Sequence, residues 1–121
     1  MDFRDDVARL HHPALPNFPG HYIWNRHFKG ATGIFSFVRA GGQSDNFKAK
    51  AHAFLNGLKL FGLGYSWGGF QSLARRIDLD ESRILRVPYE GPIIRLQIGL
   101  EDVVDLRTDH ARGFDAARQI S

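Results

Sequence analysis

Arg95 is the first candidate for chemistry in this 121-residue chain. It interrupts the run Ile93-Ile94-Arg95-Leu96-Gln97-Ile98, which is otherwise mostly apolar. A cation is costly to bury unless something anionic meets it. The guanidinium is a planar fork that matches a carboxylate with two hydrogen bonds. If the strand face carrying Arg95 and Gln97 looks into a cleft, a carboxylate ligand is a natural partner. A strand arginine can equally pair with a local Glu or Asp or face solvent, and spacing alone leaves both open.

The second candidate is Tyr65-Ser66-Trp67-Gly68-Gly69-Phe70. Two glycines after a tryptophan permit unusual dihedrals and close backbone approach. Tyr65, Ser66 and Trp67 offer donors that could orient a polar ligand, although the string also reads as a turn between core aromatics. The P-loop lysine and the Rossmann glycine spacing are both missing, so a phosphate cradle is not expected. Nor do we expect a nucleophile elbow at Ser66, and hydrolase chemistry is discounted there. The six histidines (His11, His12, His21, His27, His52 and His110) show no HExxH spacing. With no cysteine in the chain, a metal site is not expected. His110 is read as a packed or capping residue.

Bulk properties narrow the classes further. The absence of cysteine excludes disulfides, thiolate sites and a cysteine nucleophile, and fits a reducing compartment. The net charge of +3 is spread along the chain, with Arg75-Arg76 the densest pair, so nucleic-acid binding is not expected. No run approaches 18 apolar residues, and MDFRDDVARL lacks a signal peptide's apolar stretch. A cytoplasmic domain without membrane partners is the expectation. Apolar residues at 43% are ordinary for a globular protein, so disorder is not the default.

The elements that must position these residues follow from pattern. Residues 3–10 suit a short helical turn. Residues 11–20, HHPALPNFPG, hold three prolines and read as an extended connector on which Leu15 and Phe18 dock. Residues 31–40 favour a strand, with Phe35 and Phe37 on one face and Ile34, Ser36 and Val38 on the other. Ser44 stands at an N-cap position before a helix over about 45–60, whose stripe is Phe47, Ala51, Phe54, Leu55 and Leu58. Short strands are expected around 62–66 and 71–77, then a loop with Pro88, Gly91 and Pro92, then a strand over 93–98. A last helix over about 101–119 carries the stripe Val103, Leu106, His110, Phe114 and Ala117, with Glu101 and Asp102 in its first turn and Arg118 in its last. This order predicts an α+β fold: a small, mostly antiparallel sheet with helices packed on one face. Residues 1–30 are expected to form a connector, and 31–121 the small α+β domain.

Three strings in register carry a resemblance: HPALPNFPGHYIW at 12–24, GYSWGGFQSL at 64–73 and GPIIRLQIGLEDVVDL at 91–106. Together they resemble the C-terminal small domain of the cystathionine β-lyase group, within the Cys/Met-metabolism family of pyridoxal-phosphate (PLP) enzymes. The likeness covers about residues 7–118. Trp67 favours the β-lyase branch, since related γ-synthases and γ-lyases generally show leucine before the glycine pair. Gln71 and Gln97 depart from the pattern, standing where Glu and His are expected.

The resemblance implies that Arg95 holds a substrate α-carboxylate, with Ser66 and Trp67 helping and Tyr65 close by. It implies carbon–sulfur β-elimination of cystathionine to homocysteine, pyruvate and ammonia, with PLP as electron sink. The family's cofactor lysine lies in a large domain upstream of this segment, and none of Lys29, Lys48, Lys50 and Lys59 sits in a matching motif. No PLP is therefore expected on this chain alone. Its start at Met1 suggests an expressed domain, a split gene product or a truncation. The implied partners are the PLP-binding large domain, an amino-acid thioether and further copies in a homo-oligomer. Another lyase of the same family, or a free-standing binding module, are the alternatives.

Overall fold

A computed structural model describes residues 5–40, 47–78 and 91–120; the expectations at Ser44 and Pro88 lie outside them. The elements in chain order are β1 (Val7–His11), α1 (His21–His27), β2 (Ile34–Arg39), α2 (Phe47–Gly57), β3 (Gly62–Leu63), β4 (Leu73–Ile77), β5 (Ile93–Gln97) and α3 (Val103–Arg118). They build one sheet in the order β1-β2-β5-β4-β3, antiparallel throughout except for the short parallel pair β3–β4. The expected α+β class and mostly antiparallel sheet are what the chain adopts.

Cross-strand partners share a sheet face. Phe37 faces Ile94, Phe35 faces Leu96, and Leu96 faces Ala74. These residues form the side on which α2 and α3 pack. Phe37, Phe54 and Phe114 make the centre of the core, with ring centroids 4.9 to 5.7 Å apart. Leu55, Leu58, Phe61, Leu106 and Ala117 close around them. The two helices meet where α3 has Gly113: a Cβ there would lie 2.8 Å from the Phe54 ring.

Several expectations are corrected. Residues 3–10 do not make a helical turn: Val7–His11 is an edge strand, bulged between Val7 and Arg9 and paired to β2. A tertiary partner decides its geometry, which local preference could not show. The proline-rich segment is not extended. It folds as successive tight turns, Leu15 N–H to His12 C=O, Phe18 N–H to Leu15 C=O and His21 N–H to Phe18 C=O, at 2.9 to 3.1 Å. These lead into α1 through Gly20 at φ 86°, the left-handed region open to glycine. The strand expected over 62–66 is only Gly62–Leu63, because pairing with β4 stops at Ala74.

On α3, Val103 belongs to the exposed side, while Asp109 is fully buried. Asp109 accepts the backbone N–H groups of Lys59, Leu60 and Phe61 at 2.7 to 3.0 Å, and Arg112 donates to it at 3.2 Å. Those N–H groups follow directly on α2, so one carboxylate ties the two helices at the turn. Asp102 caps α3, accepting from Val104 N–H at 2.8 Å.

Candidate site on the sheet face opposite the helices

The alternation that sends Ile94 and Leu96 toward the helices sends Ile93, Arg95 and Gln97 the other way. Pairing continues that face across the sheet: His11 stands opposite Ser36, Ser36 opposite Arg95, and Arg95 opposite Arg75. His11 Nδ1 and Ser36 Oγ are 3.2 Å apart. A polar row therefore crosses four strands of an otherwise apolar sheet.

The loop between β3 and β4 runs beside this row. Arg95 Nη2 donates to the carbonyl of Tyr65 and, at 3.4 Å, to that of Ser66. Arg95 is thus oriented by backbone carbonyls. Among the described residues no carboxylate pairs with it. The Arg75 guanidinium lies over the Tyr65 ring, so Tyr65 is held by its carbonyl on one arginine and by its ring on the other. Trp67 follows on the same loop, 67% exposed. The structure brings Arg95, Tyr65 and Ser66 into one cluster and leaves Trp67 beside it, without a bond to Arg95.

The loop's shape is held by residues to which the sequence assigned no such part. Gln97, 3% exposed, accepts from Gly68 N–H at 3.2 Å and donates to the carbonyls of Gly69 and Gln71 at 3.1 Å. One side-chain amide thus satisfies three backbone groups of the turn. Ser72, also buried, donates its hydroxyl to Glu101 and accepts from Gly99 N–H at 2.8 Å. Glu101 also accepts Ser72 N–H at 2.7 Å. Burial would raise the Glu101 carboxyl, but the bonds from Ser72 outweigh it and hold the group below its ordinary range. Gly99 is required by contact: a Cβ there would meet the Phe70 carbonyl oxygen at 2.1 Å. The sequence signal for Gln97 was available, as an amide on the face of Arg95 two residues away. The loop it serves could not be seen.

Gly64-Tyr65-Ser66-Trp67-Gly68 carries the letters of the G-x-S-x-G motif. Its context is what excludes an elbow. That motif needs a strand before and a helix after, whereas here a two-residue strand precedes and β4 follows. Ser66 makes no hydrogen bond to a histidine among the described residues.

The chain's own residues do not fit PLP. A Schiff-base lysine needs a desolvated site with an acidic partner and phosphate donors around it. Lys29, Lys48 and Lys59 are exposed and Lys50 is half-buried on α2; none belongs to the polar row with Arg95. Among the described residues no group of three or more His, Cys, Asp or Glu could hold a metal ion, and no helix is long and apolar enough to cross a membrane.

Comparison with known proteins places this arrangement. The sequence model of the family described as Cys/Met metabolism PLP-dependent enzyme matches residues 1–115. A provisionally named cystathionine beta-lyase of Rhizobium johnstonii is 58% identical over 120 residues, covering 99% of this chain and 30% of that protein. The cystathionine beta-lyase of Salmonella typhimurium is 41% identical over 112 residues, covering 89% of this chain and 28% of that protein. Among solved structures, a cystathionine gamma synthase from Xanthomonas oryzae pv. oryzae superposes with a TM-score of 0.75 at 29% identity, covering 95% of this chain and 30% of that one. The chain therefore spans about 30% of the length of the curated relatives it matches.

Proposed function

We propose, from the premise that the chain belongs to the Cys/Met metabolism PLP-dependent enzyme family, that the face bearing Arg95 is the carboxylate-binding side of an amino-acid site. The observation that carries this reading is Arg95 itself. It is half-buried in β5, aimed by the Tyr65 and Ser66 carbonyls, and without a carboxylate partner among the described residues. A guanidinium preset in this way binds a carboxylate without first having to be ordered. Tyr65, Ser66 and Trp67 form the rim beside it. Holding the carboxylate fixes the orientation of the substituents on the neighbouring Cα, which is this chain's part in the reaction.

The reaction we assign to the whole enzyme is carbon–sulfur β-elimination of cystathionine, giving homocysteine, pyruvate and ammonia. The names of the Rhizobium and Salmonella relatives and the Trp67-Gly68-Gly69 string support it. The partner we assign is a PLP-binding large domain that supplies the cofactor lysine, in an oligomeric enzyme working in the cytoplasm. A second reading, another enzyme of the same family, draws on the likeness to the γ-synthase structure; Trp67 weighs against it.

The test is a graft. Residues 7–118 would replace the matching segment of the Rhizobium relative, and pyruvate release from cystathionine would be followed. Turnover is expected, and Arg95→Ala in the graft should cost roughly 2–5 kcal/mol in kcat/KM. A change below about threefold, under 1 kcal/mol, would make Arg95 structural.

A further inference from the structure

Strand β4 carries two consecutive arginines that point to opposite faces. Arg76 has a carboxylate partner, Asp78, at 3.8 Å. Arg75 has none among the described residues. It lies on the face of Arg95 and is the direct cross-strand partner of Arg95. Like charges placed opposite each other in an antiparallel pair destabilise the sheet. Both are half-buried, which sharpens the repulsion.

The stacking of Arg75 on Tyr65 gives its guanidinium a position but does not neutralise it. The carbonyls that orient Arg95 do not neutralise that residue either. Tyr65 connects the pair, its ring under Arg75 and its carbonyl on Arg95. The next residue along the polar row is Ser36, which is neutral. Stacking on Tyr65 places Arg75, but no carboxylate among the described residues answers its charge.

We infer that Arg75 and Arg95 form a two-anion site, which selects amino acids bearing a second carboxylate at the far end of the side chain. The inference rests on the reading of Arg95 as the α-carboxylate contact and adds a specificity-determining residue to it. Arg95, aimed by two backbone carbonyls, takes the invariant α-carboxylate. Arg75, resting on an exposed ring, takes the distal group. Cα atoms of directly paired strands are about 5 Å apart, and two long side chains can spread to carboxylates several bonds apart. An amino-acid thioether with a terminal carboxylate has this form.

The test uses the 121-residue chain and two probes, S-(2-carboxyethyl)-L-cysteine and S-methyl-L-cysteine, titrated at low salt while the amide signals of the 64–72 loop are followed by NMR. The dicarboxylate should bind about fivefold more tightly, the expected size for one added half-exposed charge contact. The preference should shrink as salt is raised. In Arg75→Gln it should collapse to about one, and in Arg75→Lys, which keeps the charge, part of it should return. The β5 and α3 amide signals of each variant report whether the fold is intact. A wild-type ratio near one, or a ratio unchanged in Arg75→Gln, overturns the two-anion site and leaves Arg95 untouched. If Arg95→Gln leaves both affinities unchanged, the carboxylate reading of Arg95 falls instead. If neither probe shifts the wild-type loop, both fall for this chain.

Discussion

At the scale of single residues, His110 and Asp109 are neighbours with opposite requirements. His110 stacks on Phe61 with ring centroids 4.8 Å apart and also meets Phe54. Burial pushes its pKa from 6.5 to about 4, despite the opposing charge of Asp109. The folded protein therefore binds this proton less readily than the unfolded chain. The stability held by neutral His110 is complete above pH 6.5 and is lost as pH falls from 6.5 toward 4, about 3 kcal/mol in order of magnitude. Urea unfolding at pH 7 and pH 4.5 should show the loss, and His110→Leu should flatten the dependence in that window. Asp109 behaves otherwise. Its burial would raise the carboxyl, but the N–H groups of Lys59, Phe61 and Leu60, with Arg112, hold it below the ordinary range. Its contribution persists to lower pH and is lost only as the carboxylate is protonated. Asp109→Ala strands three backbone N–H groups and should cost about 3 kcal/mol or more by the same measurement.

At the scale of elements, the loop between β3 and β4 is shaped from outside itself. Gln97 satisfies three of its backbone groups, and the Ser72–Glu101 pair pins its end. Gln97→Leu removes those bonds while filling similar space. It should lower stability by about 2 kcal/mol, at about 1 kcal/mol net for each neutral hydrogen bond lost, less what burial of the leucine returns. Gly99→Ala places a methyl group against the Phe70 carbonyl and must displace the loop, so the Gly68 and Gly69 amide signals should move while those of α3 stay. In the core, Gly113→Ala drives a methyl group into the Phe54 ring, and overpacking of this kind costs about 1–3 kcal/mol, to be read by thermal unfolding.

At the scale of the whole molecule, three exposed large apolar residues of the described chain, Tyr22, Ile23 and Phe28, lie on or beside α1, and the other seven gather in two groups. Leu63, Tyr65, Trp67 and Phe70 stand out on the site loop, and Leu100, Val103 and Val104 at the start of α3. Leu100 N–H donates to the Phe70 carbonyl at 2.8 Å, which joins the two groups. Exposed apolar surface of this extent marks a docking face or an aggregation liability. The 121-residue chain should therefore enhance the fluorescence of a hydrophobic dye, and Phe70→Ser with Leu100→Ser should reduce the signal without lowering the unfolding midpoint. An unchanged signal would place the dye elsewhere. A borohydride trap with added PLP gives a second whole-chain check: no lysine is expected to be fixed in a stoichiometric adduct, because none lies on the face of Arg95.

Local pattern determined what depends on neighbours in sequence. Period-two alternation put Arg95 and Gln97 together on β5 and Phe35 with Phe37 on β2. Helical spacing found Ala51, Phe54 and Leu55 on α2, with Leu58 just past its end, and Leu106, Phe114 and Ala117 on α3. The strings around Trp67 and Arg95 were enough to indicate the family. What tertiary structure alone decided lies between distant residues. β1 exists because β2 offers it an edge. Asp109 is buried because three N–H groups, 48 to 50 positions away, need an acceptor. Gln97 acts on a turn 26 to 29 positions away, and Arg75 faces Arg95 only once β4 has paired with β5. Hydrogen bonds and charge pairs of this kind depend on distance in space, and a sequence carries only distance along the chain.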